Sequence, residues 1–373
     1  MKQVLTGARI FTGSQFLDNK ALVINGSEIF CLAEHDNVVQ DAVNVELNGG
    51  ILAPGFIDLQ VNGGGGAFFT NAPNIDTLKT MLDGHRPTGT TSMLPTLISA
   101  TRDTHQAGID AVRAAVAENM AGILGIHLEG PFFDLEKRGA HNAEFIRAIS
   151  EDDLTWLCDT RGIKTLLTLA PEHVAPGQIT QLVEAGIRVS AGHSNARYRE
   201  VKAAIDAGLS GFTHLYNAMR PQTGREPGVV GAALECGHSW CGIICDNHHV
   251  HPASVRVACK SKPRGKIYLV TDAMSTVGSA NKSFSLYGET ITEKNGALVN
   301  AEGRLAGSAI GMIDAVRIAH TDAHLTLDEC LRMASLYPAQ YMRVDHMLGK
   351  IAPAFRADLV HFTNDFNVTA TWV

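Results

Sequence analysis

Short apolar runs recur along the chain, separated by longer stretches in which apolar residues return with helical spacing. FIDLQ (56–60), SMLPTLI (92–98), ILGIHLE (123–129) and TLLTLA (165–170) read as buried strands. RVSAGHS (188–194), GFTHLYN (211–217), GIICD (242–246) and IYLVTDA (267–273) continue the series. Strand alternating with helix predicts an α/β fold of βα repeats, and eight such strands are what a (β/α)8 TIM-like barrel needs to close.

The intervening stretches carry helix signals. Asn74-Ile75-Asp76 opens an apolar-periodic segment, and Ser99 to Asp103 precede the alanine-rich AGIDAVRAAVAENM. Pro176 precedes QITQLVEAG, whose Gly186 suits a helix C-terminus. MIDAVRIAH and LDECLRMASL supply helices after the eighth strand. The two ends of the chain differ from this. LTGARIFTG, KALVING and SEIFCLAE alternate over short segments with turn residues, and GKIAPAFRADLVHF has the same texture. The expectation is a small β-sandwich domain made from 1–52 and 347–373, with the barrel, 53–346, inserted between them.

Composition narrows the classes. Hydrophobic residues at 45% and charged residues at 18% describe a globular chain with a substantial core. A formal charge of −7 disfavours a general binder of nucleic acid or anionic membrane, while leaving room for a local basic pocket. MKQVLTGARIFTGSQF lacks the apolar centre of a signal peptide. No apolar run approaches the roughly 20 residues that span a bilayer, so cytoplasmic residence is expected. Seven cysteines are scattered, and Cys236, Cys241 and Cys245 lack tight Cys-x-x-Cys pairing, which predicts reduced thiols rather than a zinc cluster.

Candidate chemistry sits at strand ends, where barrel side chains converge on one mouth. Glu129 closes the third run, His193 follows the fifth, His214 lies in the sixth and Asp272 ends the eighth. Singly, each has a plainer role as a hydrogen-bonded histidine, a loop cap or a helix N-cap. Together, one carboxylate and two imidazoles can bind a divalent ion and leave a position open for water. A further carboxylate can take that water's proton. The first run raises its own question. In PGFIDLQVNGGGG, Gln60 and Asn62 stand where many metal hydrolases carry His-x-His, and neutral amides are poor substitutes for imidazole on zinc.

The stretches PGFIDLQVNG, GIHLEGPFF with KRGAHN, SAGHSNA, FTHLYNAM, GREPG, DNHHV, LVTDAM, LAGS and GKIAPAFRADLV extend over essentially the whole chain. Together they resemble the amidohydrolase superfamily and, within it, the N-acetylglucosamine-6-phosphate deacetylases. The resemblance implies hydrolysis of N-acetyl-D-glucosamine 6-phosphate to D-glucosamine 6-phosphate and acetate by a metal-activated water. It implies that Glu129, His193 and His214 bind one divalent ion per subunit, zinc ahead of iron or cobalt. It makes Asp272 the general base and then acid, and gives His141 contact with the substrate carbonyl. Asn217, Ala218, Arg225 and His249 resemble the family's sugar-phosphate contacts, with Arg225 reaching across a homodimer to the neighbouring site. Gln60 and Asn62 match the one-metal branch, whose first strand also carries Gln-x-Asn.

Rival readings are a deacetylase of another N-acetylhexosamine phosphate, a cyclic amidohydrolase, and a non-catalytic scaffold retaining the barrel. The chain has no G-x-x-x-x-G-K-[ST] loop, and Gly63–Gly66 gives the backbone room rather than a phosphate cradle. The planar fork of Arg225 suits a phosphate. His127 shares a strand face with Glu129 and reads as an orienting group. His85, His105, His173, His238, His248 and His251 read as structural or surface residues.

Overall fold

The computed structural model describes residues 2–34, 42–160 and 162–373. The eight predicted strands form and lie side by side in chain order. They are β1 (Phe56–Val61), β2 (Thr90–Ile98), β3 (Gly125–Glu129), β4 (Lys164–Leu169), β5 (Arg188–Ala191), β6 (Gly211–Phe212), β7 (Trp240–Ile244) and β8 (Ile267–Val270). All their pairings are parallel. Every residue of β1, β2 and β3 is buried, as a parallel sheet covered on both faces requires. The barrel closes where Val61 bridges Ala273 and Asp272 N donates to Gln60 O at 3.0 Å. In that seam the Asp58 carboxylate accepts from Thr271 N and Thr271 Oγ1. Burial pushes it up to about 7 against the pull of those bonds.

Helices enclose the barrel, and their N-termini are capped by the residue types the physics favours. Asn74 accepts from Thr77 N ahead of Ile75–His85, and Thr101 from Thr104 N ahead of Arg102–Ala117. Ser150 and Asp153 form a capping box at Glu151–Cys158. Pro176–Glu184 ends as expected, with Gly186 at a φ of 94° and Ile187 N closing back on Leu182 O.

The flanking segments form two sheets packed over Leu5, Ile10, Leu22, Ile24, Ile29, Leu52 and Leu359. In one, Glu28–Glu34, Lys20–Asn25, Lys2–Thr6 and Ala42–Glu46 adjoin in that order. The other runs Val368–Trp372, Leu359–Phe362, Ile51–Pro54, Arg9–Phe11 and Phe16–Leu17, so both chain ends share one sheet.

One element was not anticipated from the sequence. Between β8 and the helix Met312–Thr321, the strands Ser283–Leu286, Glu289–Lys294, Ala297–Val299 and Leu305–Ser308 form an antiparallel sheet. Its apolar underside, including Leu286, Ile291, Leu298 and Ala306, packs with Phe68, Ile98 and Met274 beside the barrel mouth. Ser308 N bonds Asp272 O at 2.9 Å and Met274 N bonds Ser308 O at 3.1 Å, which ties this sheet to the end of β8. Gly307 makes that approach feasible: a Cβ there would lie 2.9 Å from Asp272 O.

Candidate active site

The strands stop earlier than their apolar runs, and the reason lies in the side chains they present. Just past β5, β6 and β8, His193, His214 and Asp272 adopt φ of 50°, 36° and 53°. Non-glycine residues rarely occupy this left-handed region, and such strain clusters at working sites. GFTHLYN therefore remains a strand only at Gly211–Phe212, with Tyr216 and Ala218 also at positive φ.

The turned backbones bring Glu129, His193 and His214 into one buried group. Glu129 Oε1 lies 3.3 Å from His193 Nε2 and 3.0 Å from His214 Nε2, and the two Nε2 atoms are 3.0 Å apart. His193 Nδ1 is 2.9 Å from Lys137 O, so it carries the proton and leaves the Nε2 lone pair facing the carboxylate. Such a pair of acceptors repels unless a cation lies between them. A tetrahedral ion with bonds of about 2.0–2.1 Å holds its ligands roughly 3.3–3.4 Å apart. The donor set and its spacing therefore fit a divalent ion, and Lys137 O supplies the outer hydrogen bond that orients a ligand imidazole.

Gln60 and Asn62 act here as donors. Gln60 Nε2 bonds Glu129 Oε1 at 3.0 Å and Asp272 Oδ1 at 3.1 Å, while Asn62 Nδ2 bonds Asp272 Oδ1 at 2.7 Å. The first-strand amides hold the buried Glu129 and the half-buried Asp272 carboxylates in place. Burial and the Glu129 charge push Asp272 up to about 7, against His214, His249 and Asn62.

Asn62, Glu129, His193, His214 and Asp272 line a cavity of about 200 Å³ whose wall also includes His141, Asn217, Ala218 and His249. His249 Nδ1 lies 2.6 Å from Asp246 Oδ2, and Asp246 Oδ1 accepts from His248 N and His249 N. Burial pulls His249 down, but Asp246 outweighs it and leaves the imidazole raised, a suitable partner for an anion. Leu286 and Leu305 of the unanticipated sheet complete the wall. A second hollow of about 360 Å³ adjoins across Ala140, His141, Leu286 and Leu305.

Arg225 does not join this group; it is exposed on its loop and absent from the cavity wall. His127 lies behind the site, 2.7 Å from Thr168 Oγ1 and 3.2 Å from Thr96 Oγ1, and burial lowers it to about 4. His248 is exposed, His251 caps the helix Pro252–Ser261, and His173 pairs with Asp134 at the surface. Cys241 and Cys245 are buried free thiols pushed upward by burial. Among the described residues no helix is long and apolar enough to cross a membrane. Sequence reasoning missed Ser99 and Tyr287: Ser99 Oγ lies 2.8 Å from His141 Nδ1, and Tyr287 Oη donates to Ser99 O at 2.6 Å. Ser99 stood out only as a residue preceding a helix, and no local signal exposed the contact.

A (β/α)8 barrel with a carboxylate–imidazole donor set and a second carboxylate at its mouth defines a metal-dependent hydrolase. The chain belongs to the amidohydrolase family, whose model matches residues 51–373, while the NagA composite domain matches residues 4–52. It is 41% identical to an N-acetylgalactosamine-6-phosphate deacetylase of a Shewanella species, covering 99% of this chain and 94% of that one. It is 36% identical to an N-acetylglucosamine-6-phosphate deacetylase of Haemophilus influenzae, covering 100% and 98%. The crystal structure of N-acetylglucosamine-6-phosphate deacetylase from Pasteurella multocida superposes with a TM-score of 0.97 at 40% identity, covering 100% of this chain and 98% of that one.

Proposed function

We propose that this protein hydrolyses N-acetyl-D-glucosamine 6-phosphate to D-glucosamine 6-phosphate and acetate. The observation that carries the reading is the convergence of Glu129, His193, His214 and Asp272 on one cavity beside His141. Glu129, His193 and His214 hold one divalent ion, zinc being the best match to two imidazoles and a carboxylate. When bound, the ion supplies Lewis acidity and brings the pKa of an adjacent water to about 7.

Asp272, fixed by Gln60 and Asn62, takes the proton from the attacking water and delivers it to the departing sugar nitrogen. His141 contacts the carbonyl oxygen as charge develops there. Asn217, Ala218 and His249 receive the sugar phosphate, and Arg225 completes the phosphate site from the partner subunit of a homodimer. The working division of the chain is a barrel, 53–346, and a small β domain from 1–52 and 347–373. The place of work is the cytoplasm.

The 41% relative supports a second reading, the galacto epimer as substrate. Acetate release from both sugar 6-phosphates and from unphosphorylated N-acetylglucosamine tests the proposal. Fast release from the gluco phosphate alone is expected. Preference for the galacto phosphate selects the second reading, and equal rates with the unphosphorylated sugar overturn the phosphate site.

A further inference from the structure

The environment of His141 differs from that of the two metal-facing histidines. Its Nδ1 lies 3.2 Å from Ser99 N and 2.8 Å from Ser99 Oγ. A backbone N–H can only donate, so Nδ1 must offer its lone pair. A neutral imidazole has one N–H, which is then on Nε2. Among the described residues Nε2 has no hydrogen-bond partner, and the ring lines the reaction cavity.

The donating peptide is held from its other side. The carbonyl of the same Ile98–Ser99 peptide accepts from His105 Nε2 at 3.0 Å, and His105 is buried with its ring stacked near Trp156. Tyr287 Oη holds Ser99 O from the antiparallel sheet. The His141 ring is also wedged, edge-on to Phe133 at 5.0 Å and to His193 at 4.5 Å between centroids. Neither the peptide nor the ring can turn without breaking these contacts.

We propose that Ser99 is a positioning residue that fixes His141 in the tautomer protonated on Nε2, so that a neutral imidazole presents an N–H to the substrate carbonyl oxygen. This rests on the deacetylase reading for the carbonyl, but the tautomer itself follows from Ser99 alone. The opposite tautomer would set Nδ1–H against the Ser99 N–H and aim a lone pair at the carbonyl oxygen. His105 and Tyr287 serve the same end at one remove, because they hold the peptides on either side of Ser99.

The first test reads the wild-type protein directly. NMR of the metal-loaded protein with ¹⁵N-labelled histidine, with His141 assigned by the signals lost in His141→Gln, should find the proton on Nε2; a proton on Nδ1 overturns the proposal. Kinetics supply the second. Ser99→Ala should lower kcat roughly three- to tenfold, the scale of one net hydrogen bond, with KM nearly unchanged, and Ser99→Thr should restore it. In a His141→Gln background, Ser99→Ala should cost nothing more. Equal losses in both backgrounds would mean that Ser99 acts independently of His141, which also overturns the proposal. If the wild type released no acetate from any sugar phosphate, the functional reading would fail while the NMR result still decided the tautomer.

Discussion

Replacing Asp272 with asparagine isolates one atom's worth of chemistry. Asp272 Oδ1 accepts from Gln60 Nε2 at 3.1 Å and Asn62 Nδ2 at 2.7 Å, and an amide oxygen can accept both bonds. The substitution keeps the volume and those contacts, and it removes a charge that burial and Glu129 already oppose. Stability and metal content should therefore stay near wild type. What is lost is a group able to take and return a proton. A positioned general acid–base contributes about 10²–10⁴ in rate. At about 1.36 kcal/mol per decade, that is roughly 3–5 kcal/mol of barrier. The assay is acetate release at saturating substrate, with metal per chain from elemental analysis and KM from the same curves. The expected result is kcat down by about 10²–10⁴, KM within a few fold and metal unchanged. A kcat within tenfold of wild type at equal metal content would remove Asp272 from the mechanism. Loss of the metal would instead make it a ligand.

Other consequences follow from named contacts. Glu129→Gln and His193→Asn each take one donor from the ligand set, so affinity for the ion should fall more than about 100-fold, measured by chelator competition, with circular dichroism unchanged. Asp153 is fully buried and accepts from Arg102, Arg147 and Ser150. Burial raises its carboxyl, but Arg147, Ser150 and Arg102 outweigh this and depress it below the ordinary 3.8. Because the arginine heads are partly exposed, Asp153→Asn should cost about 2 kcal/mol at pH 7 in urea unfolding. A depressed acid stabilises above its unfolded pKa, so the gap between variant and wild type should close as pH falls below about 4. Gly307 has a φ of 65°, and a Cβ would meet Met274 at 2.6 Å and Asp272 O at 2.9 Å. Gly307→Ala should lower stability by about 1–3 kcal/mol and reduce kcat, because the displaced strand carries the end of β8 with it.

The barrel was legible because strands buried on both faces read as nearly continuous apolar runs, as TLLTLA and IYLVTDA do. Their ends were less legible: the pattern carried GFTHLYN on as a strand, whereas His214 turns out of it. The antiparallel sheet at 283–308 escaped because SFSL and ETITEK cover one side of a mouth and leave the other wet, which weakens the apolar signal. Strand-end logic picked out Glu129, His193, His214 and Asp272, and the fold brings them together. The donor role of Gln60 and Asn62 depends on which way two amides point, and Ser99 meets His141 across 42 positions of chain, so neither has a local signature.

The shared sheet of the two chain ends sets a timetable for synthesis. Pro54 pairs with Leu359, and Gly55 N bonds Asp358 O. A ribosome adding about 5–20 residues per second needs roughly 15–60 s to supply that partner after Ile51–Pro54 has emerged. The sheet of Lys2–Thr6, Lys20–Asn25, Glu28–Glu34 and Ala42–Glu46 can close early from local sequence. Ile51–Pro54 must wait with one edge open, a natural landing place for a chaperone or for another nascent chain. Synthesis of Leu359–Phe362, rather than completion of the barrel, is what lets that edge close.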